Sequence, residues 1–345
     1  MDISRITNSL LIAIAFVIIF TFGKGLIVPF VIALIFWFLI KEIRTVLQKS
    51  SFVKKHISIA FLNLFGFLFI FMIIGGVVQI LALNIRELST LLPVYQRNIT
   101  VLADNIHNEF NIDTISITKE FLGEYDFSNL LSILLNSLTE LFGKAILIIV
   151  YTLFLLLEEP YFSRKIKIIY SKRNNYEEVY SILNKIDRSI GRYISIKTLT
   201  SLLTGIVSYF ILLFIGVDTP MFWAFLMFLM NFIPTIGSLI ATIFPTIFTM
   251  LQFGELMPGV WVLLSIGIVQ LIIGNYIDPK LTGDTLNVSP LVVILGLSFW
   301  GVIWGIIGMV LSVPISVMLI IIFSHIPATR SISVLLSKNG KINNF

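Results

Sequence analysis

The chain has 345 residues, of which 57% are hydrophobic and only 12% charged, with a mean hydropathy of +0.99. Soluble domains carry roughly 25% charged residues, so about half the usual charge is missing, and zero Cys excludes a disulfide framework, a thiolate metal site and a cysteine nucleophile. Pro (11) and Gly (21) are too few for a collagen-like or low-complexity chain, so the composition is that of an integral membrane protein.

Charges divide the chain into uncharged windows at 6–23, 25–40, 57–85, 145–157, 198–217, 219–254, 256–277 and 285–329. A spanning helix needs about 20 apolar residues. The first two windows are short and separated only by Gly23-Lys24-Gly25, which predicts a tight helical hairpin, with one kinked long helix as the alternative. Only Arg5 precedes the first apolar run and no small-residue cleavage site follows it, so the first helix is expected to stay in the membrane. Windows 57–85, 198–217 and 256–277 each fit one span. Window 145–157 reaches span length as 138–157 if Glu140 and Lys144 sit at the interface. Windows 219–254 and 285–329 are too long for one helix: 36 residues would stretch roughly 54 Å against about 30 Å of hydrocarbon. Both are punctuated, by Pro220, Pro234 and Pro245 and by Pro290 and Pro314, so each must fold back, break or cross more than once. The expected fold is all-α and polytopic, with about eight transmembrane helices and Pro/Gly-broken segments in the C-terminal half.

Basic residues orient the spans. Segment 41–56 holds five Lys or Arg against one acid and 158–197 nine against five, whereas 86–126 holds three against seven. This places the N-terminus, 41–56, 158–197 and the tail in the cytoplasm and 86–126 outside. The expected organisation is therefore helices 1–3 over 1–83, an external amphipathic segment over 84–137, and a fourth span over 138–158. A cytoplasmic basic helix over 159–197, a C-terminal bundle over 198–325 and a cytoplasmic tail over 326–345 follow. The net charge of +5 then reflects orientation, and no nucleic-acid partner is implied.

In the external segment Leu88, Leu92, Tyr95, Ile99, Leu102 and Ile106 recur at spacings of four and three, a heptad-type seam. It predicts a helix packed on its own chain or lying on the bilayer; a contact in a homo-oligomer is the sharper alternative. The basic segment repeats that spacing at Tyr176, Val179, Leu183, Ile186 and Ile190.

Soluble-type catalysis finds no candidates. His56, His107 and His325 are scattered without metal-ligand spacing, and no nucleotide-binding loop of the G-x-x-x-x-G-K-[ST] type is present. The chain therefore reads as no enzyme, with no metal and no cofactor. Membrane transporters bind solutes where helices break near the midplane and unwound backbone offers free polar groups. Two Pro/Gly-interrupted segments fit: the break carrying Asn231, Pro234 and Gly237, and the stretch with Pro290, Gly301 and Gly305. Between them Asn275, Asp278 and Lys280 follow a long uncharged window. Asp278 is a functional candidate if it faces a cavity, against the alternative that Asp-Pro simply ends a helix. Asn275, three residues earlier, is expected on the same face.

Several spaced motifs resemble the AI-2E (autoinducer-2 exporter) family of bacterial membrane proteins. They are Asp187-Arg188-Ser189-Ile190-Gly191-Arg192-Tyr193-Ile194 ahead of the fifth span, and Asn231-Phe232-Ile233-Pro234-Thr235-Ile236-Gly237 with Pro245. Tyr276-Ile277-Asp278-Pro279-Lys280-Leu281-Thr282-Gly283 with Ser289-Pro290, and the run from Gly301 to Pro314, complete the set. Asp278 departs from the bulkier residue that the family commonly carries before that proline. The resemblance implies an eight-span transporter of the bacterial cytoplasmic membrane that exports a small polar solute or signalling molecule by secondary or facilitated transport. Na⁺(Li⁺)/H⁺ antiport, described for other members, is the alternative, and a non-transporting membrane scaffold is the third reading. The expected partners are the lipid bilayer and a small polar solute or cation.

Overall fold

The computed structural model describes residues 3–110, 143–170, 176–282 and 287–340. The far part of the expected external segment and Glu140 lie outside the described residues. The described chain is helical, with one isolated bridge between Val288 and Ser337. Among the described residues seven helices are long and apolar enough to cross a membrane, and two shorter apolar helices accompany them. The chain divides into two compact units, one of Met1–Ile70, Lys144–Ser195 and Thr282–Phe345, the other of Phe71–Gly143 and Ile196–Leu281.

In the first unit, α1 (Ile3–Phe22) and α2 (Lys24–Leu47) meet at Gly23, and the predicted tight hairpin is not formed. Gly23 keeps near-helical angles (φ −79°, ψ 0°), its N–H donates to Ile19 O at 2.8 Å, and Ile27 N–H donates back to Gly23 O at 2.9 Å. One residue cannot reverse a helix while these bonds persist, so 3–47 is a kinked long helix. After the short α3 (Ser51–His56), α4 begins at Ile59, and α5 (Ala145–Tyr170) packs along α2. That contact is fastened by Arg44, whose guanidinium reaches Glu159 at 2.6 and 3.1 Å and Asn63 Oδ1 at 2.7 Å. Lys41 bonds Asp187 at 2.6 and 2.7 Å.

Window 285–329 folds as a hairpin. Helix α11 (Pro290–Trp304) and α12 (Ile306–His325) turn at Gly305, whose φ of +65° and ψ of −144° are open essentially to glycine alone. Its two ends lie together: Ser289 N–H donates to Leu336 O, and Lys338 N–H to Asn287 O, around α13 (Arg330–Leu336). Tyr193, Val313, Val317 and Ile320 form one core cluster; Val28, Trp300, Trp304 and Leu311 form another, and Trp304 Nε1–H donates to Phe20 O at 3.0 Å.

Helix α4 (Ile59–Phe110), which enters the second unit at Phe71, runs unbroken for 52 residues, roughly 78 Å at 1.5 Å per residue. The apolar span and the heptad-type seam therefore lie on one helix. Leu88, Tyr95 and Leu102 of the seam are buried within the chain, which is the packed-on-itself form. Asn98 Nδ2 donates to Leu251 O and Gln252 O at 2.8 and 2.9 Å, and Tyr95 OH donates to Asp218 Oδ2 at 2.9 Å. The expected basic helix and fifth span are likewise one helix from Tyr176, α6 (Tyr176–Ile215).

Window 219–254 is the second hairpin, α7 (Pro220–Met230), a break, and α8 (Ile236–Phe253). Gln252 ties its ends: Nε2–H donates to Gly216 O, and Oε1 accepts from Asp218 N–H, both at 2.7 Å. Both overlong windows thus fold back, as their length and prolines require. The eleven residues of α7 rise only about 16 Å, roughly half the hydrocarbon thickness, so α7 is too short to cross alone. Helix α9 (Leu256–Ile272), a π-helical turn (Ile273–Ile277) and α10 (Asp278–Thr282) close the unit.

Candidate functional site

Helix α6 carries a polar face through otherwise apolar sequence. Lys197, Ser201, Thr204 and Ser208 recur at spacings of four, three and four, with Thr200 beside them, and all five are buried. Residues at these spacings share one face of a helix. Lys197 Nζ donates to Asp278 Oδ2 at 2.7 Å, with side-chain exposures of 11% and 20%. One turn further along, Ser201 Oγ accepts a bond of 3.2 Å from Asn231 Nδ2. Two sequence-predicted residues, Asn231 and Asp278, are thus brought onto adjacent turns of α6 by partners that the sequence reading had not singled out.

The break between α7 and α8 explains why Asn231 points inward. Helix α7 ends at Met230, and Asn231 follows in helical geometry (φ −63°, ψ −17°). Pro234 has no N–H to continue the ladder. Thr235 then takes φ +61°, ψ −60° while Ile236 N–H donates to Pro234 O at 2.6 Å. That is a γ-turn at positive φ, a strained conformation for a β-branched residue. Gly237 is required by space: a Cβ there would lie 2.8 Å from Met230 C and 3.0 Å from Ile233 Cβ, and closer still to Met230 O.

Asp278 is presented by the π-turn. Pro279 has no N–H for the carbonyl four residues before it, and its ring crowds that position; the ladder widens just there, over Ile273–Ile277. The widening separates the faces of Asn275 and Asp278: Asn275 is exposed while Asp278 meets Lys197. Their expected common face is not formed. Lys280 turns outward and lies over the Tyr276 ring at 5.5 Å.

Pro290, Gly301 and Gly305 belong to the first unit. Pro290 opens α11 at its first turn, Gly305 makes the turn, and Gly301 leaves room for Met309, whose Cε would lie 2.9 Å from an added Cβ. Their roles there are helix termination and close packing.

Two hydroxyls of the α6 face bond their own helix, Thr200 Oγ1 to Lys197 O at 3.2 Å and Thr204 Oγ1 to Thr200 O at 2.9 Å. Among the described residues Thr198 Oγ1, Ser208 Oγ, Thr219 Oγ1 and Gln270 Nε2 are buried without a hydrogen-bond partner in the chain, and all four belong to this unit. The missed signal was legible in principle: polar residues at helical spacing inside a span, beginning at Lys197. It was obscured because Lys197 also counts as a membrane-flanking cation.

Comparison with known proteins bears on this arrangement. The chain is 30% identical over 268 residues to a putative transport protein of Borreliella burgdorferi, covering 76% of this chain and 72% of the relative. It is 31% identical over 261 residues to the AI-2 transport protein TqsA of Escherichia coli, covering 74% and 75%. A putative transport protein of Haemophilus influenzae is 28% identical over 347 residues, covering 97% of each. Residues 10–328, which include both broken hairpins and the Lys197–Asp278 pair, match the family described as AI-2E family transporter, and the chain belongs to that family of membrane transporters.

Proposed function

We propose that this transporter moves a small polar solute outward across the bacterial cytoplasmic membrane along the polar face of α6. Basic segments orient both termini toward the cytoplasm. The observation that carries this reading is the Lys197–Asp278 pair, held at 2.7 Å beside the Asn231–Ser201 bond. Ionisable groups are expensive at membrane depth and are kept there for pathways, and a paired cation and anion with adjacent amide and hydroxyl groups suit a neutral, hydrogen-bonding solute. The gates of the reading are the α7–α8 break with Asn231, Pro234 and Gly237, and Asp278. TqsA is named for autoinducer-2, and a small polar signal of that class is the first cargo to test. Antiport is disfavoured by the same pair, because an ammonium at 2.7 Å competes with any metal cation for Asp278.

The test is an unbiased comparison of extracellular metabolites between a deletion strain, its complemented strain and strains carrying Asn231→Ala or Lys197→Met at matched protein levels. The expected result is one or a few polar metabolites that fall outside the deleted cell, return with the wild-type gene, and stay low with either variant. Full export by both variants would remove the α6 face from the path.

A further inference from the structure

The second unit also carries an open apolar groove of about 1020 Å³, at the end of the unit far from the Lys197–Asp278 pair. Its walls run from Val207 to Ile215 on α6 and from Pro258 to Ile268 on α9, with Phe253 at its mouth. Phe214 is 95% exposed and Trp261 is 61% exposed. The hydroxyl that lines it, on Ser265, donates to Trp261 O of its own helix and offers nothing to an occupant. We infer that this groove binds one acyl chain of a phospholipid with an ammonium-bearing zwitterionic headgroup of the phosphatidylethanolamine type, and that Glu255 receives the ammonium.

Three observations carry this. The first is depth. The groove starts where α6 ends and α9 begins and extends about 12 Å along one helix and 15 Å along the other. That is about half the hydrocarbon thickness, the depth of one leaflet and so of one lipid chain. The second is chemistry: with its Ser265 hydroxyl satisfied, the wall is apolar, and the occupant at that depth is hydrocarbon rather than water. The third is charge. No Lys or Arg occurs between Thr198 and Ile277, so both walls and the loops at the mouth lack cations. Those loops carry Asp218, which accepts from Tyr95, and Glu255, which is exposed at the start of α9. On neighbouring α4, Arg86 and Arg97 stand with Glu87 and Asp104, so among the described residues this end of the unit has an acidic excess. A primary ammonium is attracted there and can donate N–H hydrogen bonds to the Glu255 carboxylate, which a quaternary choline cannot, and a headgroup with net negative charge is repelled.

The experiment uses the full chain in nanodiscs containing phosphatidylethanolamine, phosphatidylcholine and phosphatidylglycerol, with brominated chains on one lipid at a time. Subtracting the fluorescence of Trp261→Phe from that of wild type isolates the groove tryptophan among the five in the chain. The expected result is that brominated phosphatidylethanolamine quenches Trp261 at a mole fraction about threefold lower than phosphatidylcholine, a ratio within reach of the charge-assisted hydrogen bond that only the primary ammonium donates. Glu255→Gln should bring the two lipids together. Equal quenching by both in wild type, stronger quenching by phosphatidylglycerol, or no quenching because a second copy covers the groove would each overturn the inference. Export leaves this readout unmoved, so failure of the lipid site and failure of the proposed transport function are separable.

Discussion

Replacing Lys197 by Met leaves the Asp278 carboxylate in place with its ammonium removed. Breaking a buried pair from one side costs about 3–5 kcal/mol. The Asp278 side chain retains 20% exposure, and fully exposed pairs are worth no more than about 1 kcal/mol, so the loss expected here is about 2–3 kcal/mol. Asp278→Leu should cost about as much, about 2–3 kcal/mol, because it strands the Lys197 ammonium. Lys197→Met combined with Asp278→Leu removes both charges and should recover most of the stability, giving a coupling energy of about 3 kcal/mol or more, in the range for close charge pairs. Unfolding of the purified variants in mixed detergent micelles measures the cycle, and export from cells expressing them is measured in parallel. Stability should return in the double variant while export does not. Additivity of the two single effects within about 0.5 kcal/mol would refute the energetic coupling. A double variant that regained both stability and export would make the pair scaffolding and take it out of the solute path.

Gly237→Ala should lower stability by at least about 1–3 kcal/mol, the cost of overpacking, since the new methyl meets Met230 and Ile233 backbone and side-chain atoms. Gly75→Ala and Gly76→Ala, where nothing lies within 4 Å, should instead stabilise α4 by about 0.5–1 kcal/mol each, and the same unfolding assay compares the three. Burial, and then the hydrogen bond to Asp218 and the charges of Asp218 and Glu87, push the Tyr95 phenol above its ordinary range. A raised folded-state value means that this contribution is complete below about pH 10 and is lost as pH rises beyond it. Tyr95→Phe should therefore be less stable than wild type at neutral pH, with a shallower alkaline decline in the unfolding midpoint measured from pH 8 to 11. Arg44→Lys should destabilise the first unit by about 1–2 kcal/mol. A lysine cannot span both Glu159 oxygens and Asn63 as the guanidinium does, and heat-induced loss of the folded protein in detergent reads the difference.

Much of this architecture was legible in the chain itself. Membrane insertion follows from uncharged runs, because the bilayer penalises each ionised group wherever it sits in the fold. The breaks at Pro234 and Gly305 were legible too: a missing N–H and a conformation open only to glycine act locally. The junction at Gly23 was ambiguous because a Gly-Lys-Gly step permits a turn or a kink, and packing of Phe20 and Val28 with Trp300 and Trp304 accompanies the kink. Asn275 was misassigned to the face of Asp278 because a π-turn changes the angular step per residue.

What the sequence by itself determined was the solvent of each segment, the places where helices must end, and the candidates Asn231 and Asp278. Pairing was left to the tertiary structure. Lys197 and Asp278 are 81 positions apart, and Asn231 and Ser201 are 30 apart. Such partners are chosen by which helix faces pack together, a property of side-chain shape summed over whole helices, and no local pattern encodes it. Lys197 alone reads as a cation flanking a span; beside Asp278 it becomes half of a buried pair, because low surrounding polarity binds opposite charges that water would keep apart.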